Sequence, residues 1–161
     1  MTSERKETIR ADIQAKHASV AAVLARVTES DWGTPVYSPD HAATWTVHDV
    51  IAHLLDSTEG QLRTARMIAN GEDPLPPDFD LQRWNKRTIE KAANKDTAEM
   101  IATVRDNFEA WLQFLDEVPE EALDKKGRYP SGDIETVANF IVRFARHEAA
   151  HAADLDAALR G

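Results

Sequence analysis

The sequence predicts an all-α protein, an up-and-down four-helix bundle with a short extra helix between the second and third long helices. Apolar residues recur at steps of three and four in four long segments, which is the pattern of amphipathic helices. Stretches that contain proline and glycine separate these segments, and none of the segments shows the sustained alternation of a β-strand. Four such helices bury their apolar faces together as a bundle.

The first helix is predicted over Ser3–Val27, where isoleucine, leucine and valine occupy one face. His17 lies on that face, and a partly buried histidine at a helix contact is the preferred interpretation because no neighbouring residue completes a site. The next stretch, Thr28–Thr44, has no period and predicts a long connection that either packs against the bundle or lines a cleft. The residues that suit either role are Trp32, Tyr37 and His41.

The second helix is predicted to begin after Thr46, which is a suitable N-cap, and Asp49 favours the positive end of the helix dipole. The apolar stripe continues to about Asn70, and Gly71 ends the helix. His53 falls at the shoulder of this stripe. That position suits a metal ligand at the edge of a bundle and a half-exposed histidine equally, and taken alone the second interpretation is preferred.

The remaining helices follow the same pattern. A short helix is predicted over Arg87–Ala93, a third long helix from Asp96 to Pro119, and a last helix from the N-cap Asp133 to Arg160. Trp84, which precedes the short helix, is assigned to the core rather than to a ligand platform. The polar stretch around Lys125–Arg128 predicts a solvated loop, with contact to an anionic substrate group as the alternative.

Length and composition bound the function. The 161 residues predict one domain, residues 1–161, with an ordinary apolar fraction of 42%. The net charge of −9 argues against nucleic acid and anionic membranes as partners. The sequence has no cysteine, so nitrogen and oxygen must hold any metal. The charged N-terminal stretch and the lack of an apolar run of ~20 residues predict a cytoplasmic protein.

The strongest chemical signal is the pair His147 and His151 in the last helix. Residues four apart lie one turn from each other on the same face, so two imidazoles reach one ion. If the second and last helices are neighbours, His53 supplies a third nitrogen, and such a site keeps an open position for water or substrate. Imidazoles suit zinc, nickel, iron or copper. The candidates to accept their second N–H are Asp49, Asp56, Ser57 and Asp154.

The same pair also spells the H-E-x-x-H signature of zinc peptidases, in which Glu148 would be the general base. That signature needs a third ligand well downstream, and Ala152–Gly161 contain no histidine. A strand to hold an extended peptide is also not predicted. The pattern therefore disfavours a peptidase, and Glu148 is assigned to the helix surface.

Two segments resemble the DinB/YfiT-like superfamily, which includes domains like the N-terminal domain of mycothiol-dependent maleylpyruvate isomerase. Trp45–Leu54 is similar to its "W-[ST]-v-x-D-v-x-x-H-L" segment, and Arg146–His151 is similar to its C-terminal "H-x-x-x-H". Trp84-Asn85 followed by a short helix also fits. The resemblance implies a four-helix bundle, often a homodimer, with a divalent metal on three histidines. Carried over by motif, these are His53, His147 and His151.

The resemblance also implies a chemistry. Some members transfer or isomerise with mycothiol, bacillithiol or glutathione, the metal holding the sulfur of the cosubstrate as thiolate. We therefore expect a thiol S-transferase or isomerase whose partners are a small thiol and an electrophile, and whose cofactor is zinc or nickel, with iron, manganese and copper as alternatives. Catalytic residues beyond the metal site stay unassigned. The alternative is a non-catalytic, stress-related protein that binds metal or a small ligand on the same fold.

Overall fold

A computed structural model describes residues 3–37 and 44–161 of the chain; His41 lies outside this part. The described residues form a four-helix bundle with one shorter helix, as the sequence predicts. The helices are α1 (Glu4–Leu24), α2 (Val47–Ala69), α3 (Leu81–Ala92), α4 (Thr97–Glu117) and α5 (Val137–Leu159). None of these helices is both long and apolar enough to cross a membrane.

The long helices enclose one core. α1 packs against α5 and α4, and α2 packs against the same two helices, while α3 lies on the outside of α2. Trp111 of α4 and Phe144 of α5 stack at the centre with ring centroids 3.9 Å apart, and both are fully buried. The Trp111 indole N–H donates to the carbonyl of Thr58, which ties α4 to α2. The contact between α2 and α5 that the sequence interpretation required is therefore present.

Two short antiparallel ribbons, which the sequence did not predict, accompany the helices. β1 (Pro35–Val36) pairs with β2 (Trp45–Thr46), and β3 (Lys126–Arg128) pairs with β4 (Ile134–Thr136). β2 continues directly into α2, and β4 continues directly into α5. Each ribbon therefore fixes the start of a helix that carries site histidines. Within the stretch predicted to be a solvated loop, Lys126–Arg128 form a strand of the second ribbon, and Gly127 is buried.

Two predicted helix starts were wrong. The last helix is capped by Thr136, whose hydroxyl accepts from the Asn139 amide, because pairing of β4 with β3 keeps the preceding residues extended. Asp133, the predicted cap, instead forms an ion pair with Arg143 at 3.0 Å. The short helix begins at Leu81 and not at Arg87, because the side chain of Asp80 accepts from the Arg83 amide and caps it.

The first helix ends at Leu24 and not at Val27, whereas three other predicted helix signals are confirmed. Thr46 and Asp49 form a reciprocal capping box at the start of α2. Asp96 caps α4 by accepting from the Glu99 amide. Gly71 follows the end of α2 with a φ of 90°, the left-handed conformation that glycine adopts without strain.

His17 is buried between helices, as predicted. Its ring stacks on Phe108 of α4 with centroids 4.1 Å apart, and its two nitrogens have no hydrogen-bond partner among the described residues. Burial lowers the pKa of His17 to about 4. The histidine is thus a neutral packing residue near physiological pH.

Candidate metal centre

His53 lies on α2, two turns after the β1–β2 ribbon, and only 5% of its surface is exposed. The sequence placed it on the shoulder of the apolar stripe, and the half-exposed interpretation preferred for it in isolation was wrong. The indole of Trp45, in β2, lies 5.2 Å from the imidazole ring and shields it. The β1–β2 ribbon, through Trp45, and helix α2 therefore both fix the position of the His53 imidazole.

His147 and His151 lie one turn apart on α5, as their spacing predicts, with ring centroids 4.4 Å apart. Their Nε2 atoms are 3.0 Å from each other, and the Nε2 of His53 is 3.3 Å from that of His147. The packing of α2 against α5 brings all three rings to one point. One ligand nitrogen from each histidine lies within 4.8 Å of the others.

This arrangement fits a divalent transition metal. Zinc–nitrogen bonds of about 2.0–2.1 Å place two imidazole nitrogens about 2.9 Å apart at a right angle and about 3.3 Å apart at the tetrahedral angle. The two Nε2–Nε2 separations, 3.0 and 3.3 Å, lie within this interval. The Nε2 of His147 also faces a ring nitrogen of each of the other two histidines, so the three donor nitrogens are close enough to share one ion. The donor set can therefore hold an ion.

Glu148 corrects the prediction of a helix-surface residue, because its side chain is completely buried. The carboxylate Oε1 lies 3.3 Å from the Nδ1 of His147, which donates to it. A proton on Nδ1 leaves Nε2 with the lone pair that a metal binds. Burial raises the pKa of Glu148, and the contact with His147 opposes this rise. Glu148 thus lies behind the imidazole of His147, and not in the position of a peptidase base.

Three of the residues proposed to support the histidines have other partners. Asp49 completes the capping box of α2. Ser57 donates to the carbonyl oxygen of His53, one turn before it, at 2.7 Å. Asp56 accepts from the indole N–H of Trp84 at 2.8 Å, and burial raises the pKa of Asp56.

A cleft of about 580 Å³ opens over the three imidazoles, within the size range of small-molecule sites. One wall is apolar and comes from β2, from α3 and from the segment before it. The residues of this wall are Trp45, Leu75, Phe79, Leu81 and Trp84. Trp84 is 47% exposed and lines the cleft, so its assignment to the core was wrong, because α3 lies on the outside of α2.

The cleft lining also contains a residue that sequence reasoning missed. Tyr129 follows β3 directly, is 5% exposed, and lines the cleft beside the guanidinium of Arg143, which lies 4.3 Å from its ring centre. Burial raises the pKa of Tyr129 well above its usual value, so the phenol stays protonated. Tyr129 falls in a segment without periodicity, and no sequence signal distinguished it.

Solved structures of similar fold agree with this architecture. YfiT from Bacillus subtilis, described as a probable metal-dependent hydrolase with an unusual four-helix bundle topology, matches with a TM-score of 0.77 at 19% identity, over 99% of this chain and 89% of that chain. A mycothiol-dependent maleylpyruvate isomerase matches with a TM-score of 0.76 at 15% identity, over 93% of this chain. This chain spans 60% of that protein.

The colibactin self-resistance protein ClbS, solved in complex with a double-stranded DNA, matches with a TM-score of 0.75 at 14% identity, over 97% of this chain and 96% of that chain. Likeness at this identity shows the fold alone, and the exclusion of nucleic acid from net charge stays a prediction. The comparison with curated proteins found no match. The family model of the DinB superfamily matches residues 41–155, a span that contains all three histidines, and the chain belongs to this superfamily.

Proposed function

We propose that this protein is a divalent-metal-dependent transferase that moves a low-molecular-weight thiol onto small electrophiles. The observation that carries the proposal is the convergence of three imidazole Nε2 atoms at the floor of a cleft large enough for a small ligand. The mycothiol-dependent isomerase of similar fold supports a thiol as cosubstrate. Mycothiol, bacillithiol and glutathione are the candidate thiols.

His53, His147 and His151 would hold the ion, with zinc or nickel as the first candidates. When bound, a divalent ion supplies a Lewis acid that lowers the pKa of a thiol placed against it. The thiol would come from the cosubstrate, because the chain has no cysteine. The chain's own residues then have to orient the imidazoles and shield the reacting groups from water.

Two features of the site perform these tasks. Glu148 accepts from the Nδ1 of His147 and thereby keeps the Nε2 of that ring directed at the cleft. The apolar wall that includes Trp45, Phe79 and Trp84 offers aromatic surface for an electrophile and reduces the access of water to it.

The cleft lining contains few groups that could act as a base, and this favours thiol transfer over hydrolysis. Hydrolysis is the reaction class given for YfiT. Activation of water benefits from a carboxylate or imidazole base beside the nucleophile. Among the described residues that line the cleft, Asp56 is the one carboxylate, and it accepts a hydrogen bond from Trp84. A thiol ionises with a pKa of about 8.5 even when free, so it has less need of such a base.

The test is thiol consumption by purified protein loaded with zinc or nickel, with monochlorobimane as electrophile and each of the three thiols in turn. Native protein is expected to accelerate conjugation, and His151→Ala is expected to abolish the acceleration. His17→Leu is the matched control, because His17 is a buried histidine at the contact of α1 with α4. It should retain the rate of the native protein.

The outcomes separate the two candidate functions. Failure of all three thiols to turn over on metal-loaded protein would contradict the transferase proposal. If a thiol or other small ligand nevertheless raised the melting temperature of that protein, the alternative of a non-catalytic binding protein would be favoured. A rate that survives in His151→Ala would place the reaction outside the three-histidine site.

A further inference from the structure

The cleft over the three histidines has a charge opposite to that of the protein as a whole. The chain carries a net charge of −9, yet the cleft lining contains Arg63, Arg143 and Arg146 against a single carboxylate, Asp56, among the described residues. A positive cleft in an acidic protein concentrates anions at that place and repels them elsewhere. The positive lining therefore indicates that the ligand carries a negative charge.

The three arginines differ in what already neutralises them. Arg143 forms ion pairs with Asp133 at 3.0 Å and with Glu135 at 2.9 Å, and its guanidinium also lies against the Tyr129 ring. Arg63 and Arg146 form no ion pair within the described part of the chain, and both are exposed. Both guanidinium groups are consequently available to a ligand, although the charge of Arg63 is partly offset by its electrostatic interaction with Asp56.

The two available arginines lie on the helices that carry the histidines. Arg146 immediately precedes His147 on α5, and Ala150, one turn further, lines the cleft on the same side. Arg63 is on α2, about 15 Å along the helix from His53 at a rise of 1.5 Å per residue. Arg146 is therefore within reach of a short ligand held at the imidazoles, whereas Arg63 suits a longer one.

We propose that the cleft selects a thiol that carries a carboxylate, which Arg146 binds close to the histidines and Arg63 binds in longer ligands. A guanidinium presents two parallel N–H donors that match the two oxygens of a carboxylate. Asp56 offsets part of the positive charge of the lining, which favours a monoanionic group over a dianionic one. This inference rests on the proposed function and assigns the class of its cosubstrate.

The test compares two thiols that differ only in charge, N-acetylcysteine and N-acetylcysteine amide. Their dissociation constants are measured by calorimetry on zinc-loaded and zinc-free protein, for the native chain, for Arg146→Gln and for Arg105→Gln. Arg105 is the matched control, because it is an exposed arginine on α4 away from this cleft. The comparison of variants cancels any intrinsic difference between the two thiols.

Zinc-loaded native protein is expected to bind the acid about fivefold more tightly than the amide, the upper range for an exposed ion pair. Arg146→Gln should remove this preference and Arg105→Gln should keep it. Equal affinity in the native protein, or an unchanged preference in Arg146→Gln, would overturn the inference.

The two zinc states separate this inference from the proposed function. A preference for the acid that needs Arg146 but not zinc supports the carboxylate site and contradicts a metal-bound thiol. Zinc-dependent binding of both thiols without any preference overturns the carboxylate site and leaves the proposed function standing. Binding of neither thiol contradicts both.

Discussion

Replacement of Glu148 by glutamine is expected to weaken metal binding and, at the same time, to stabilise the metal-free protein. Glu148 is fully buried, and its Oε1 accepts from the Nδ1 of His147 at 3.3 Å. Glutamine keeps the length and one accepting oxygen but removes the negative charge that the carboxylate places behind the ligand. The two effects have opposite signs, which no general loss of structure would produce.

The loss of metal affinity follows from the contact with His147. Removal of a residue that orients a metal-bound histidine typically costs about 10- to 100-fold in affinity, and glutamine should fall near the lower figure because it still accepts a hydrogen bond. Glu148→Ala removes the acceptor as well and should approach the higher figure. A factor of ten corresponds to about 1.4 kcal/mol of binding free energy.

The gain in stability follows from burial of the carboxyl group. Burial raises the pKa of Glu148 in the folded state above its value in the unfolded chain, 4.5. The stability that this group contributes is therefore fully present below pH 4.5 and is lost as the pH rises through the folded pKa. Glutamine does not titrate. The melting temperature of metal-free Glu148→Gln should therefore exceed that of the metal-free native protein by an amount that grows as the pH rises from 5 to 8.

The assay is competition for zinc against a chromophoric chelator, together with thermal melts of chelator-treated protein across that pH range. Glu109→Gln is the matched control, because Glu109 is an exposed glutamate on α4 that does not line the cleft of the three-histidine site. Glu109→Gln should change neither the zinc affinity nor the melting temperature. Unaltered zinc affinity in both Glu148 variants would refute the orienting role of the carboxylate, and a lower melting temperature of metal-free Glu148→Gln at pH 8 would refute the argument from burial.

Two further predictions concern the scaffold. Burial lowers the pKa of His17 to about 4, so in the window between pH 6.5 and pH 4 the unfolded state takes up a proton more readily than the folded state. The metal-free protein should therefore lose about 3 kcal/mol of stability as the pH falls from 6.5 through 4. In urea titrations, His17→Leu should remove this part of the pH dependence. In Gly127→Ala the new Cβ would lie 2.4 Å from Cγ1 of the buried Ile68, which should cost about 1–3 kcal/mol in the same titrations, whereas Gly33→Ala has open space and should be neutral.

The long helices could be predicted because their information is local. The apolar period, the capping residues Thr46 and Asp96 and the terminating Gly71 each act within a few residues of chain. The ribbons could not be predicted in the same way, because strands of two or three residues are too short to show an alternation. The β3–β4 ribbon also determines where α5 begins. Because residues up to Thr136 pair with β3, the helix is capped by Thr136 and not by Asp133, three residues earlier.

The pair His147 and His151 could be predicted as neighbours from spacing alone. The addition of His53 required knowledge of which helices pack together, and the family resemblance supplied it. Glu148 was misjudged because one residue along a helix turns its side chain by about 100° away from the ligand beside it. In the structure α5 is surrounded by α1, α2 and the two ribbons, so a side chain in that direction is also buried.

The central claim is that three imidazoles hold one divalent ion, and elemental analysis tests it most directly. Native protein loaded with zinc or nickel and then desalted should contain close to one equivalent per chain. His53→Ala, His147→Ala and His151→Ala should each contain far less while keeping their helical circular dichroism. A content well under one equivalent in the native protein, or one that is unchanged in all three variants, would contradict the claim.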